Sequence, residues 1–280
     1  MSILSIQSHV AYGYVGNKAA VYPLQAMGFD VWPVNTVQFS NHTGYKKWKG
    51  EIFSREHIRD VIKGIEELGV ADDCRAILSG YMGSREICEE VQDTVHRFKK
   101  RNKNLLYLCD PVIGKTNCYV KPEILEFFTK KLSADIITPN QFEAEVLSGI
   151  KITDTNSLKT IAKKFHDSGI KIVIITGAKF NNTKTNDPYK FISTDSTSYI
   201  GKVQEYLFQT PMSGLGDLFS ALYLGNYLST MDPIAALQKA NHFLDKVIQN
   251  TFQSGKKELQ VLSVDYKELR VELPEFCRVN

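Results

Sequence analysis

Long apolar runs are missing from this 280-residue chain; the longest clearly apolar stretch, Ile170–Thr176, reads IKIVIIT. A membrane-spanning helix needs ~20 such residues, so none is expected. Cysteine is scarce and unpaired. Cys74, Cys88, Cys109, Cys118 and Cys277 are an odd number with no CxxC spacing, which argues against a disulfide framework and against a zinc site. Neither sign of charge dominates: lysine plus arginine number 34 and aspartate plus glutamate 31, a net +3 with both signs interleaved. A nucleic-acid binder would carry a basic stripe, so that class is set aside. The start, MSILSIQSHV, has no basic segment ahead of an apolar one, and no secretory leader is expected. With 43% hydrophobic and 23% charged residues the chain is too apolar for disorder. What remains is a cytoplasmic globular protein.

The common nucleotide signatures are missing as well. No GxxxxGK[ST] occurs: Ser254-Gly255-Lys256-Lys257 lacks the first glycine and the hydroxyl residue. Gly13 and Gly16 do not make a GxGxxG turn. Any nucleotide must be held another way.

Present throughout is an alternation of short β-rich runs with amphipathic stretches. Ile3–Ser8, Phe29–Asn35, Arg75–Tyr81, Leu105–Asp110, Ala134–Thr138 and Lys171–Thr176 read as strands. Helical patterns cover Gly16–Met27, Arg55–Leu68, Ser84–Arg101, Pro122–Lys131 and Ser157–Ser168. This is the pattern of βαβ units, hence an α/β fold with a mostly parallel sheet covered on both faces. Tyr189–Ile192 and Ser198–Leu207 follow each other without a helix and predict an antiparallel hairpin at one sheet edge. Val37–Lys49 is polar and aromatic with no helical period, a loop or short strand pair standing off the sheet as a flap. Asn181–Pro188 reads as a surface loop. One domain over residues 1–280 is the simplest partition.

In an open parallel sheet ligands bind beyond the carboxyl ends of the strands. Ser8, Asn35, Tyr81, Asp110, Thr138, Asn140 and Thr176 fall there, and most are polar. The strongest local signal is Ser213-Gly214-Leu215-Gly216-Asp217. Leu215, Leu218, Phe219 and Leu222 follow helical spacing, so two glycines open a helix whose free N–H groups suit a phosphate. Asp217 then lies beside the bound anion, or it merely stabilises the helix dipole. The second signal is Thr138-Pro139-Asn140-Gln141-Phe142-Glu143. Read locally it is a capping box; read functionally it sets an amide and a carboxylate at a strand end, where a hydrated Mg²⁺ and a triphosphate would lie. Asp110 adds a third acid at the same edge.

Taken together, SIQSHVAYGYVGNKAA, VQFSNHTGY, LSGYMGS, CDPVIG, DIITPNQFEAEVLSG and SGLGDLFSA resemble the pyridoxal kinase family of the ribokinase-like superfamily. The likeness runs from about Ile3 to Leu224, in order. It implies a three-layer α/β/α fold and ATP-dependent phosphorylation of the 5′-hydroxyl of pyridoxal, with pyridoxine and pyridoxamine as related substrates. It further implies Asp217 as proton acceptor, with Gly214, Leu215 and Gly216 forming the anion hole. Ser8 and Thr43 would contact the pyridine ring, with Val15, His42, Gly44 and Tyr81 lining that pocket. Asp110, Thr138, Asn140 and Glu143 match positions around metal and triphosphate, Asp110 and Glu143 being the metal candidates. Thr176, Gly177 and Phe208 match nucleotide contacts, and Tyr119 belongs to a lid over ATP. Mg²⁺, a monovalent cation and a homodimer are the further family expectations.

Two departures stand out. Leu215 replaces the threonine many relatives carry between the glycines, and Lys115 replaces an acid found after the DPVxG turn of some. Cys118, in the lid segment Gly114–Val120, is read as a free thiol packed in a loop, in preference to one that adds to an aldehyde. His9 is read as structural. The rivals are a kinase for hydroxymethylpyrimidine or another small alcohol, and a non-catalytic pyridoxal-phosphate binder.

Overall fold

The computed structural model describes every residue except 181–186, 207, 209–211, 268–273 and 280. Most of the predicted Asn181–Pro188 loop therefore lies outside the described residues. Among the described residues ten strands form one sheet in the order β10-β9-β8-β7-β6-β5-β4-β1-β2-β3. They are β1 Ser2–Val10, β2 Asp30–Phe39, β3 Gly50–Ile52, β4 Cys74–Ser79, β5 Leu106–Cys109, β6 Ile136–Ile137, β7 Ile172–Ala178, β8 Tyr189–Ser193, β9 Ser198–Lys202 and β10 Cys277–Arg278. From β2 to β7 through β1, β4, β5 and β6, every pairing is parallel. Their carboxyl ends consequently share one edge of the sheet.

The helices are α1 Asn17–Ala26, α2 Arg55–Glu67, α3 Arg85–Arg101, α4 Pro122–Lys131, α5 Gln141–Ser148, α6 Thr155–Asp167, α7 Leu215–Thr230 and α8 Pro233–Ser254. Strand periodicity sorts the core. On β7, Ile172 and Ile174 pack with α1, α7 and α8 on one face, while Val173 and Ile175 pack with α2 to α6 on the other. Both layers are apolar, which is why the parallel strands read as unbroken hydrophobic runs. At ~25 cal/mol per Å² removed from water, this two-sided burial is the main stabilising term.

The expected antiparallel hairpin lies at one edge, where β7, β8, β9 and β10 run antiparallel in succession; at the other edge β3 returns antiparallel to β2. Two sequence expectations change. The flap does not stand off the sheet along its whole length. Val37–Phe39 and Gly50–Ile52 are hydrogen-bonded sheet residues, and the excursion is confined to Ser40–Lys49, with a short 3₁₀ turn at Thr43–Tyr45. Polar and aromatic residues hid the pairing because this edge faces solvent on one side. The strand expected over Ser198–Leu207 ends at Lys202, and Leu207 lies outside the described residues. His9 has the structural role expected of it, its Nδ1 pairing with Gln38 Oε1 at 3.0 Å.

Candidate active site

The helix α7 opens at Gly214, whose φ of 85° carries no side-chain cap. A Cβ there would stand 1.8 Å from the Tyr14 carbonyl oxygen, so only glycine lets the turn after β1 pack against the start of α7. The first N–H groups of α7 are thereby left facing the carboxyl edge of the sheet. Asp217, half-buried in that first turn, accepts a hydrogen bond from the backbone N–H of Gly16. Burial raises its pKa, and the Gly16 bond opposes the rise. Two helix starts, α1 and α7, thus converge on one carboxylate.

Asp110 follows β5 and faces this turn: a methyl group on Gly216 would lie 3.3 Å from Asp110 Oδ2. Ser220, one helical turn after Asp217, donates to Asp110 Oδ2 at 3.4 Å and shares a 2.8 Å hydrogen bond with Thr138 Oγ1. Asp110 is only 5% exposed, and its pKa is driven well up by burial, then by the charges of Glu143 and Asp217.

Glu143 is held in place by main-chain donors. Its Oε1 accepts from Ile113 N–H at 2.9 Å and Gly114 N–H at 3.3 Å, and its Oε2 accepts from Asn140 N–H at 2.9 Å. Asn140 Oδ1 accepts from Glu143 N–H at 3.0 Å, which completes the capping box of α5, and its Nδ2 donates to Gly114 O at 2.7 Å. The Asn140–Glu143 pair therefore does more than cap: it grips the Ile113–Gly114 turn that begins the lid segment. Burial pushes the Glu143 pKa up to about 7 against those three N–H groups. The charge of Asp217 adds to the rise at Glu143, as the charges of Glu143 and Asp217 do at Asp110. Among the described residues no three His, Cys, Asp or Glu side chains form a metal cage. The donors are all oxygen, the set preferred by a hard, hydrated cation that draws further ligands from phosphate and water.

Toward β2, an apolar wall forms from Val10, Val37 and Phe39 with Val15 and Tyr81 against them. Ser8 is buried at the end of β1. Thr43 and Gly44 lie exposed in the 3₁₀ turn of the flap, and His42 stacks against Tyr45 with ring centroids 4.6 Å apart. Toward β7, the strand's edge is joined to α5: Thr176 N–H donates to Pro139 O at 2.9 Å, and Gly177 follows, exposed. Tyr119, in the Gly114–Val120 segment, is 59% exposed, yet burial and then the charges of Glu143, Asp110 and Asp217 raise its pKa. Phe208 meets Tyr206 and Phe252 at centroid distances of 6.5 and 5.7 Å. Tyr206 and Phe252 also line a cavity of about 650 Å³ with Gln204, His242, Asp245 and Gln249.

The structure thus brings Asp217, Gly214–Gly216, Asp110, Thr138, Asn140 and Glu143 together at the carboxyl edge of the sheet, with Ser8 against Gly16 and with Val15 and Tyr81 against the wall of Val10, Val37 and Phe39. Leu215 is half-buried and packs toward the core rather than into the groove. Lys115 is exposed in the Gly114–Val120 segment. Two residues were missed in sequence. Ser220 had a signal, its i+3 spacing from Asp217 on one helix. Glu258 had none: it reaches the flap and the Tyr14 turn across more than two hundred residues.

Residues 36–262 match the family model described as phosphomethylpyrimidine kinase. A pyridoxal kinase, PdxY, of Corynebacterium diphtheriae is 40% identical over 271 residues, covering 94% of this chain and 93% of that protein. Pyridoxal kinase from Leishmania donovani, solved with ADP and pyridoxamine, superposes with a TM-score of 0.91 at 31% identity, covering 100% of this chain and 99% of the other. The same enzyme solved with ADP and pyridoxine gives 0.89 at 32%, with the same coverage. Motif order, groove geometry and these likenesses agree, and the chain belongs to the pyridoxal kinase family.

Proposed function

We propose that the chain transfers the γ-phosphoryl group of ATP to the 5′-hydroxyl of pyridoxal, forming pyridoxal 5′-phosphate in vitamin B6 salvage. The observation that carries the reading is Asp217 at a glycine-rich helix start, between an acidic groove and an apolar pocket. Phosphoryl transfer has a loose transition state, so positioning and charge neutralisation supply most of the catalysis. Asp217 orients the hydroxyl and takes its proton; burial raises its pKa and makes it the better acceptor. The N–H groups of Gly214 to Gly216 face the transferring phosphoryl group. Leu215 keeps its backbone donor and lacks a hydroxyl. Asp110 and Glu143, with Thr138 and Asn140, would hold Mg²⁺ and the triphosphate, Glu143 through water because its oxygens already accept N–H groups. Mg²⁺ would supply neutralisation of phosphate charge, with a monovalent cation as a second neutralising ion. Lys115 in the lid supports a cationic contact to phosphate in place of a metal ligand. Tyr119 would cover ATP, Thr176 and Gly177 would touch the nucleotide, and Phe208 with the 650 Å³ cavity suits the adenine.

On the vitamer side, Ser8 and Thr43 would bond the pyridine ring, and Val15, His42, Gly44 and Tyr81 would enclose it. We read residues 1–280 as one kinase unit acting as a cytoplasmic homodimer; no helix among the described residues is long and apolar enough to cross a membrane. A second reading, a hydroxymethylpyrimidine kinase, draws on the matching family model. A coupled assay of ADP release with pyridoxal, pyridoxine, pyridoxamine and hydroxymethylpyrimidine separates the two. Preferential turnover of hydroxymethylpyrimidine would overturn the pyridoxal reading.

A further inference from the structure

Glu258 lies beyond the end of α8, on a segment anchored by the fully buried Leu259 and by a 2.9 Å bond from Gln260 N–H to Thr251 Oγ1. Its carboxylate gathers two other parts of the chain. Oε1 accepts a 2.5 Å hydrogen bond from the Tyr45 hydroxyl and lies 3.6 Å from His42 Nε2, both in the flap. Oε2 accepts from the Tyr14 N–H at 3.2 Å, in the turn between β1 and α1. His42 Nδ1 lies 3.5 Å from Ser213 Oγ, the residue preceding the glycine loop. The approach is tight. A Cβ on Gly13 would stand 2.5 Å from Glu258 Oε2, so glycine at that position admits the carboxylate.

Ser40–Lys49 is otherwise held mostly by its own turn, through Ser40 N–H to Lys49 O at 2.7 Å and Asn41 Nδ2 to Lys47 O at 3.0 Å, by Trp48 packed on Phe39, and by Tyr12, whose N–H donates to Ser40 O at 2.8 Å and whose ring meets Tyr45 edge-on. Thr43, Gly44, Lys46, Lys47, Trp48 and Lys49 are exposed, and the arms of the flap rest on a three-residue edge strand. A segment so built should open readily unless something outside it fastens it. Glu258 fastens the half that bears His42, Thr43 and Gly44. The same carboxylate secures the Tyr14 turn, which leads through Val15 to Gly16, the donor to Asp217.

We propose that Glu258 is a positioning residue: it clasps the flap to the Tyr14 turn and so holds the pyridine-binding wall closed over the substrate alcohol. This rests on the proposed reaction for its kinetic consequence, though not for the clasp itself. Glu258 touches neither the reacting hydroxyl nor phosphate; it acts through Tyr45, His42 and Tyr14.

The test has two arms on the full chain. In the first, ligand-free wild type, Glu258→Ala, Glu258→Gln and Tyr45→Phe are treated briefly with trypsin, and nicking after Lys46, Lys47 and Lys49 is followed by mass. Glu258→Ala and Tyr45→Phe should be cut in the flap several times faster than wild type. Glu258→Gln should be intermediate, because its amide oxygen still accepts from Tyr45. Equal flap cleavage in wild type and Glu258→Ala would overturn the proposal. In the second arm, Glu258→Ala should raise KM for pyridoxal about tenfold, the effect of losing one hydrogen bond to a charged group. KM for ATP should stay within about twofold, since the glycine-loop donors remain, and Glu258→Gln should recover much of the loss. Faster cleavage with unchanged pyridoxal KM would make the clasp structural and overturn the positioning role. Absence of pyridoxal turnover in wild type would count against the proposed reaction alone, and the cleavage arm would still decide the clasp.

Discussion

The backbone N–H of Gly16, at the threshold of α1, donates to the carboxylate of Asp217 in the first turn of α7. That bond ties the carboxylate to the turn after β1, where Gly16 lies against Ser8. It also opposes the pKa rise that burial causes. Asp217→Asn preserves size and hydrogen bonding but cannot take the proton. A general base contributes typically 10²–10⁴-fold, so kcat should drop by about that factor, roughly 3–5 kcal/mol in barrier. KM for ATP should move little. Steady-state kinetics on the folded variant decides this: retention of more than about a tenth of wild-type kcat would return Asp217 to a helix-stabilising role.

Glu143 presents a sharper case, because both its capping and its groove positions are now visible. Glu143→Gln keeps an oxygen for one set of N–H donors and presents an amide N–H₂ to the other, so α5 should persist with a stability loss of about 1–3 kcal/mol. The removed charge should raise the Mg²⁺ concentration needed for half-maximal rate. A titration of rate against Mg²⁺ at saturating pyridoxal is the measurement. Unchanged Mg²⁺ dependence with lowered stability would confine Glu143 to gripping the Ile113–Gly114 turn.

How much of this was legible in the sequence depended on how local the cause was. The continuous apolar run of β7 and the Asn140-to-Glu143 spacing are local, and both were readable. The glycine-helix start at Gly214 was readable for the same reason. The pairing of β3 with Val37–Phe39 was not, since three exposed residues carry no hydrophobic pattern. The reach of Ser220 to both Thr138 and Asp110 needs the sheet to bring β5 and β6 beside α7. Glu258 is the extreme case: a glutamate after two lysines reads as a solvated surface charge, and only the closed fold sets it beside Tyr45.

Ring recognition can be separated from nucleotide binding. Ser8→Ala and Thr43→Val each remove one proposed hydrogen bond to the pyridine ring, a loss of typically ~0.5–1.5 kcal/mol. The KM for pyridoxal should rise by about two- to tenfold in each, with KM for ATP unaffected. Ser8 is buried and Thr43 exposed, so a stability loss should appear only in Ser8→Ala. Parallel weakening toward both substrates would place these residues outside the vitamer pocket.

Lys190 supplies a pH test that does not involve the groove. It sits on β8 only 4% exposed, its Nζ donating to Asn241 Oδ1 and lying 4.4 Å from the centroid of the Phe219 ring. Burial pushes its pKa down to about 8, against the opposing charge of Asp245. A lysine in the unfolded chain titrates near ~10.4. Between those two values the unfolded state binds more protons than the folded one, so stability due to this group must increase as pH rises. Below pH 8 both states are protonated, and the buried charge costs about 3 kcal/mol relative to a lysine in water. Lys190→Met removes the titration. The stability of wild type minus that of Lys190→Met should therefore be flat from pH 7 to about 8, then climb by up to ~1.4 kcal/mol per pH unit toward pH 10. Urea denaturation of both proteins at half-unit steps gives the curve. A difference that stays level to pH 10 would mean that Lys190 titrates in the fold as it does in the unfolded chain, with Asn241, Phe219 and Asp245 together compensating fully for its burial.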